Sequence, residues 1–380
     1  MAEWLRRGLQ ILARRFDSGS GLHSPRGQHN YAYGCIIIHR FYMAAMIETL
    51  ILGASGYVGG ELIRLLAAHP DIRPTLLVGD SDAGKPVGDV HPALALAYPQ
   101  AKIRKFDAAM LDDAGLVFAA LPHGKSQELA AAILEAGVPF VDLGADFRLN
   151  SAEDYATWYG EEHQAPELLD TFVYGIPEFH RERIRSAKAV SAAGCYATAA
   201  ILTLKPLVAA GLVQPGTITI DGLSGVSGAG KAPTAKTHFD SVHGNIGAYA
   251  LLTHRHTGEM EMMLGQSVLF TPHLVPMDRG ILITAYSATA GDGDPLAILT
   301  RAYEGEPFIR VSDQPPATKP VAGTNAAHLT ARRCDRTGKI LAQCAIDNLG
   351  KGAAGQMIQC ANIMLGLEET AGLPVAGVWP

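Results

Sequence analysis

The stretch Glu48-Thr-Leu-Ile-Leu-Gly-Ala-Ser-Gly-Tyr-Val-Gly59 decides the fold. Its first five residues form a short apolar run that reads as a buried strand. The next seven place glycines at 53, 56 and 59, and Glu61-Leu-Ile-Arg-Leu-Leu-Ala-Ala68 follows with a helical pattern. Strand, glycine turn and helix, in that order, form the context in which a dinucleotide phosphate is bound. Glycines let the backbone approach a pyrophosphate, and the helix start supplies N–H donors. Gly53, Ser55, Gly56, Tyr57 and Val58 are the expected contacts. The spacing is GxxGxxG rather than GxGxxG, and a plain tight strand-to-helix turn is the alternative reading.

Alternation of strand and helix continues outward from this unit. Thr75–Val78 reads as the second strand and ends in Gly79-Asp-Ser-Asp82, where an adenosine ribose would lie. An acidic residue there suits a free 2′-hydroxyl, whereas an arginine would suit a 2′-phosphate. Gly115–Leu121 and Val138–Asp142 read as further strands, separated by a helix over 127–136. Ligands bind beyond the carboxyl ends of such strands, so the loop Pro122-His-Gly-Lys-Ser126 is expected at the cofactor, with Pro122, His123 and Ser126 as candidates.

A second stretch, Ser191-Ala-Ala-Gly-Cys-Tyr-Ala-Thr198, follows an apolar extended run and opens a helix-forming one. A cysteine at a helix N-terminus faces unpaired N–H groups and the positive end of the dipole. Both lower a thiol pKa, so Cys195 is expected to be an activated nucleophile; a buried core cysteine is the alternative. Beyond it the pattern turns to strands at Thr217–Asp221, Ser267–Thr271, Ile281–Ser287 and Lys339–Ile346, as in a mixed or antiparallel sheet. Between them His254-Arg-His256 with Glu259 opens a helix, a plausible general-base site. No third metal ligand at suitable spacing accompanies the two histidines, so no metal is expected. The glycine-rich start of a last helix, Asp347-Asn-Leu-Gly-Lys-Gly-Ala-Ala-Gly355, suggests that the chain returns to its first half.

With 380 residues, 48% hydrophobic and 18% charged, the chain suffices for two soluble domains. Its net charge of −6 argues against a general nucleic-acid binder. No run is long enough to cross a bilayer. Five scattered cysteines without a CxxC fit a reducing, cytoplasmic setting. Residues 1–45 carry an Arg-flanked helical stripe through Leu5, Leu9, Leu12 and Phe16. They read as sequence ahead of a start at Met46, with an organelle transit peptide as the alternative.

From Met46 to Pro380 the sequence resembles the N-acetyl-γ-glutamyl-phosphate reductases, the arginine-biosynthesis branch of the semialdehyde dehydrogenase family. The resemblance rests on the two stretches quoted, on Ala83-Gly-Lys85 with His91-Pro92, and on Asp142-Leu-Gly-Ala-Asp-Phe-Arg-Leu149. It rests further on Tyr174-Gly-Ile-Pro-Glu178, Ser227-Gly-Ala-Gly230, His254-Arg-His256 with Glu259, and 347–355. It implies an α/β fold: a Rossmann-type parallel-sheet domain (46–190 plus 347–380) and an α+β catalytic and oligomerisation domain (191–346). It implies NADPH-dependent reduction of a small acyl phosphate through a thioacyl group on Cys195. His254 is expected as acid/base, with His256 as runner-up. Arg148, Lys231 and Arg255 are expected to meet the substrate's carboxylate and phosphate, with His256 and Glu259 beside them. Ser81 and Asn348 are expected at the cofactor, and the protein as a homo-oligomer, a dimer or tetramer. Three departures stand out: Ala193 and Ala197 replace prolines that commonly flank the cysteine, Gly258 replaces another, and Asp82 replaces the basic residue expected for NADP. The first leaves a related branch open, acting on a carrier-bound aminoadipyl phosphate in lysine synthesis. A non-catalytic dinucleotide-binding redox sensor is the alternative outside enzymes.

Overall fold

In a computed structural model of the protein, residues 46–378 are described; the expectations for residues 1–45 lie outside them. The first sheet comprises β1 (Ile47–Leu52), β2 (Ile72–Val78), β3 (Leu116–Ala119), β4 (Phe140–Asp142), β5 (Phe172–Gly175) and β6 (Ala189–Ala192). Its order is β2-β1-β3-β4-β6-β5, with every pair parallel. The order reverses between β1 and β3, which opens a crevice at their carboxyl ends. The glycine turn after β1 sits in that crevice. Gly53 has φ +83°, and a Cβ there would overlap the Ala120 carbonyl at the end of β3. Only glycine meets both conditions.

The helices are α1 (Tyr57–Leu66), α2 (Lys125–Glu135), α3 (Ala152–Tyr159), α4 (Pro177–Arg185), α5 (Cys195–Ala209), α6 (His256–Leu264), α7 (Pro295–Ala302) and α8 (Gly355–Met364), apart from single turns. One face of the first sheet, with Ile51, Phe118, Val141 and Val190, is covered by α1 and by Met357, Ile358 and Ala361 of α8. The chain thus returns to its first sheet after building a second. A π-helical turn, Gly350–Ala354, leads into α8, as such turns often do at functional sites.

The second sheet is mixed, in the order β11-β12-β13-β10-β7-β9-β8. Its strands are β7 (Thr219–Ser224), β8 (Gly247–Ala248), β9 (Leu269–Leu274), β10 (Ile281–Ala288), β11 (Ile309–Val311), β12 (Ala327–Cys334) and β13 (Lys339–Ile346). The pairs β7/β9 and β11/β12 are parallel and the others antiparallel. Burial alternates residue by residue along β7 and β10, the period of a sheet covered on one side. The covered side packs on α5, whose Tyr196, Ala200, Leu204 and Leu207 join Ile220, Ile283, Leu329 and Ala342 in one core. Helix α5 therefore starts where the first sheet ends and lies against the second, which sets its first residue, Cys195, between the two.

Candidate active site

Gly194 precedes α5 as its N-cap, with extended backbone (φ −65°, ψ 149°) and no side-chain cap. A Cβ at 194 would lie 2.5 Å from His256 Nε2 and 2.7 Å from Glu259 Oε1. The absent side chain is what brings the start of α6 against the start of α5. Across from it, a Cβ at Gly352 in the π-helical turn would lie 2.8 Å from Cys195 Cβ. Cys195 is half-buried between these surfaces, on the wall of a cavity of about 500 Å³.

Glu259 is fully buried and fixes the arrangement. It accepts from Arg148 Nη1 at 3.0 Å, from the Tyr174 hydroxyl at 2.7 Å and from the Gly194 N–H at 2.8 Å. Burial alone would lower the Arg148 pKa, but Glu259 and the neighbouring tyrosines outweigh it and raise it. Burial, aided by Glu259, likewise pushes the Tyr174 phenol well up. Removing one partner of such a buried pair costs about 3–5 kcal/mol. Arg148 Nη2 also donates to the Leu143 carbonyl at 2.7 Å. Both residues therefore brace the nucleophile turn; neither is among the residues lining the cavity.

The thiol departs from expectation. Burial pushes Cys195 up to about 11, and the Arg148 charge and the Tyr196 amide recover only part of that. Desolvation of the thiolate outweighs the helix-start effect at this depth. His254 and His256 both line the cavity. The backbone N–H of His256 donates to His254 Nδ1 at 3.2 Å, so neutral His254 carries its proton on Nε2. Burial lowers His254 to about 4, helped by Arg255, and His254 is ringed edge-on by Tyr196, Tyr249 and Phe270. His256 is held lower than usual by burial first, then by the charges of His254, Arg148 and Arg255. Its Nε2 stands 3.9 Å from Glu259 Oε1, and its buried Nδ1 has no partner.

Arg255 also lines the cavity and stacks over Tyr159 at 5.9 Å. Lys236, Thr234 and Thr237 line it as well, from a small-residue loop whose composition gives no chemical signal. Trp158 and Tyr159 enter from α3, and Trp158 presses on Gly258, where a Cβ would lie 2.5 Å from its indole. That contact accounts for glycine at 258. His123 lines the same cavity, stacked on Tyr159, with its Nε2 2.7 Å from Glu161 and its Nδ1 3.0 Å from Asp146. Ser126 is buried, donating to Asp142 at 2.7 Å. Pro122 is exposed at the end of β3.

The dinucleotide loop lies at the other end. Helix α1 begins with Gly56 as N-cap, without a side-chain cap or an acidic first turn, so the amides of Tyr57 and Val58 are free for an anion. The Ser55 hydroxyl is buried without a partner, and His91 Nε2 pins the Ala54 carbonyl at 2.8 Å. These features fit a dinucleotide phosphate. Lys231 is here and not at the substrate cavity: its ammonium donates to the Ser55 carbonyl at 3.1 Å and stands 4.0 Å from Asp82. Lys85 binds Asp82 at 2.8 Å, holding that carboxyl below the usual range; Ser81 donates to it at 3.4 Å. Asn348 accepts from the Gly280 N–H at 2.7 Å and donates to Ser227 at 2.9 Å, behind the cavity loop at Gly228. Among the described residues no group of three His, Cys, Asp or Glu side chains could hold a metal ion, and no helix is long and apolar enough to cross a membrane.

Residues 48–187 match the semialdehyde dehydrogenase NAD binding domain, and residues 195–348 match the semialdehyde dehydrogenase dimerisation domain. An N-acetyl-gamma-glutamyl-phosphate reductase of Desulforudis audaxviator (strain MP104C) is 46% identical, covering 88% of this chain and 100% of that one. One of Jannaschia sp. (strain CCS1) is 45% identical, covering 87% and 98%. Aspartate semialdehyde dehydrogenase II from Vibrio cholerae shares the fold, with a TM-score of 0.64 at 19% identity over 84% of this chain and 99% of that one. The Candida albicans aspartate semialdehyde dehydrogenase with NADP does so at 0.60 and 17%, over 84% and 99%. A nicotinamide dinucleotide is thus the cofactor class, and the chain belongs to the semialdehyde dehydrogenase family, among its N-acetyl-γ-glutamyl-phosphate reductases.

Proposed function

We propose that this chain reduces N-acetyl-γ-glutamyl phosphate to N-acetylglutamate semialdehyde with release of phosphate, a step of arginine biosynthesis. One observation supports this substrate most directly. The cavity beside Cys195 is lined by Lys236, Arg255 and three histidines, and no Asp or Glu lines it. Cations suit the carboxylate and phosphoryl oxygens of such a molecule. A free α-ammonium group would find no carboxylate partner there, so an acylated, uncharged nitrogen fits better.

In the proposed reaction the Cys195 thiol gives its proton to a neighbouring imidazole as the sulfur attacks the acyl carbon, so that no free thiolate is needed at this buried position. The C–S bond forms, the C–O bond to phosphate breaks, and Arg255 and Lys236 offset the departing charge. We assign the imidazole to His256, because its Nδ1 is unpartnered and its ring abuts Gly194. His254, with its proton on Nε2, is the better hydrogen-bond donor to a developing oxyanion. Reduced nicotinamide supplies a hydride when bound. The resulting tetrahedral carbon on Cys195 then loses the sulfur, which regenerates the thiol and frees the aldehyde.

NADPH is the proposed form of the cofactor. Asp82, which alone would repel a 2′-phosphate, is flanked by Lys85 and Lys231, and Ser81 adds a hydroxyl. Residues 46–190 with 347–380 are proposed to hold the dinucleotide and 191–346 the reacting acyl group. The partly exposed Leu269 and Tyr286 in the second sheet favour a homo-oligomer, and scattered free cysteines favour a reducing, cytoplasmic setting. The decisive experiment assays N-acetylglutamate semialdehyde, phosphate and NADP+ in the reverse direction, against aspartate semialdehyde. Turnover only of the N-acetyl compound is expected. Equal kcat/KM for the free amino compound refutes the reading of the cavity.

A further inference from the structure

We infer that Arg279 is a positioning residue for the reaction at Cys195, a reading that rests on Cys195 being the nucleophile. It lies far in sequence from every motif discussed above, in the turn between β9 and β10. Its guanidinium donates to both Glu61 oxygens, at 2.5 and 3.3 Å, and its Nε stands 3.0 Å from Asp347. Glu61 and Asp347 are 5% and 0% exposed and Arg279 is 24% exposed. Arg64 also binds Glu61, from the solvent side, at 2.8 Å.

Each carboxylate belongs to a different half of the chemistry. Glu61 is in α1, the helix whose first turn faces the dinucleotide phosphate. Asp347 caps the turn beneath the nucleophile: it accepts from the Leu349 and Gly350 amides at 2.8 and 3.1 Å, and its carbonyl accepts from Gly352 N–H at 2.9 Å. Gly352 is the residue lying against Cys195 Cβ. The turn that carries Arg279 is itself tied to the cavity wall. Val226 and Ser227 amides donate to the Met277 and Asp278 carbonyls, and Gly280 N–H donates to Asn348. One planar cation therefore references the helix that holds the hydride donor to the floor beneath the acceptor. A fork with donors on two edges does this; a single ammonium does not. A shift of about 1 Å in such a reference costs on the order of 100-fold in rate.

The test compares R279Q, R279K, E61Q and E61Q/R279Q. For R279Q we expect kcat to fall at least 30-fold while KM for both substrates stays within threefold and Tm falls. R279K keeps the charge but loses the bridge, so its kcat stays at least tenfold down. E61Q/R279Q removes one of two facing carboxylates, so Tm recovers and kcat does not. If Arg279 serves only charge balance, kcat recovers with Tm in the double variant, and the proposal fails. It also fails if R279Q keeps kcat within threefold of the wild type. Full activity of Cys195→Ala is a separate outcome, which removes the nucleophile reading itself.

Discussion

Gly194→Ala tests the juxtaposition on which the site depends. Backbone angles at 194 suit alanine, so no conformational strain arises and the effect is purely one of space. The new Cβ would lie 2.5 Å from His256 Nε2 and 2.7 Å from Glu259 Oε1, against a comfortable separation of about 3.5 Å. The two helix starts must part by about 1 Å. Glu259 is held from three sides and cannot simply swing away, so His256 and the Gly194 N–H bond yield first. Overpacking of this kind costs about 1–3 kcal/mol in stability. Misplacing the imidazole by that distance costs on the order of 100-fold in rate, about 2.7 kcal/mol. The assay is kcat and KM in the reverse direction beside thermal unfolding and the dinucleotide Kd. A 100-fold loss in kcat with an unchanged Kd is expected. A variant within threefold of wild-type kcat would mean that His256 is not held by this contact, and the proposed acid/base assignment would fall with it.

Cys195→Ala should abolish turnover while dinucleotide binding persists; a tenth of wild-type kcat would disprove covalent catalysis there. With the thiol raised to about 11, alkylation of Cys195 in the free protein should still climb with pH between 8 and 10, and a plateau by pH 8 contradicts that burial effect. Asp142 has its proton held up to about pH 7 by burial, so the native carboxyl binds that proton more tightly than the unfolded one. Stability should therefore fall as pH rises from about 4 to about 7. Asp142→Asn should flatten that slope in Tm, and an unchanged slope refutes the assignment. Asp82→Arg should shift kcat/KM further toward NADPH over NADH; no shift would show that this loop does not read the ribose phosphate.

The parallel sheet was legible because its first strand, glycine turn and helix carry local signals, and the cysteine because it sits at a strand-to-helix turn. The strand Phe172–Gly175 is not legible because four residues are too few to show a period, and the helix Ala152–Tyr159 is not because it buries only Tyr155 and so carries no apolar stripe. Within the site, the motifs locate Cys195, His254, Arg255 and His256 together with Arg148 and Glu259, but not Lys236, Trp158 or Tyr159, which also line the cavity. Lys231 and Arg148 looked alike as cations in a chain of letters. Folding separates them, one to the phosphate loop and one to a buried carboxylate. The thiol pKa was misread because a helix start is visible in sequence and depth of burial is not. Arg279 carries no motif, and only the meeting of three segments gives it meaning.

The return of α8 to the first sheet has a consequence for synthesis on the ribosome. Strands β1 to β6 are all translated by Ala192, yet the second of the two helices that cover Ile51, Phe118, Val141 and Val190 begins at Gly355. At ~5–20 residues per second, the intervening stretch of about 160 residues takes on the order of 10–30 s to emerge. Throughout that interval α1 can cover its share of that face while the part beneath α8 stands open, and the cofactor half of the molecule cannot close before the catalytic half has been made.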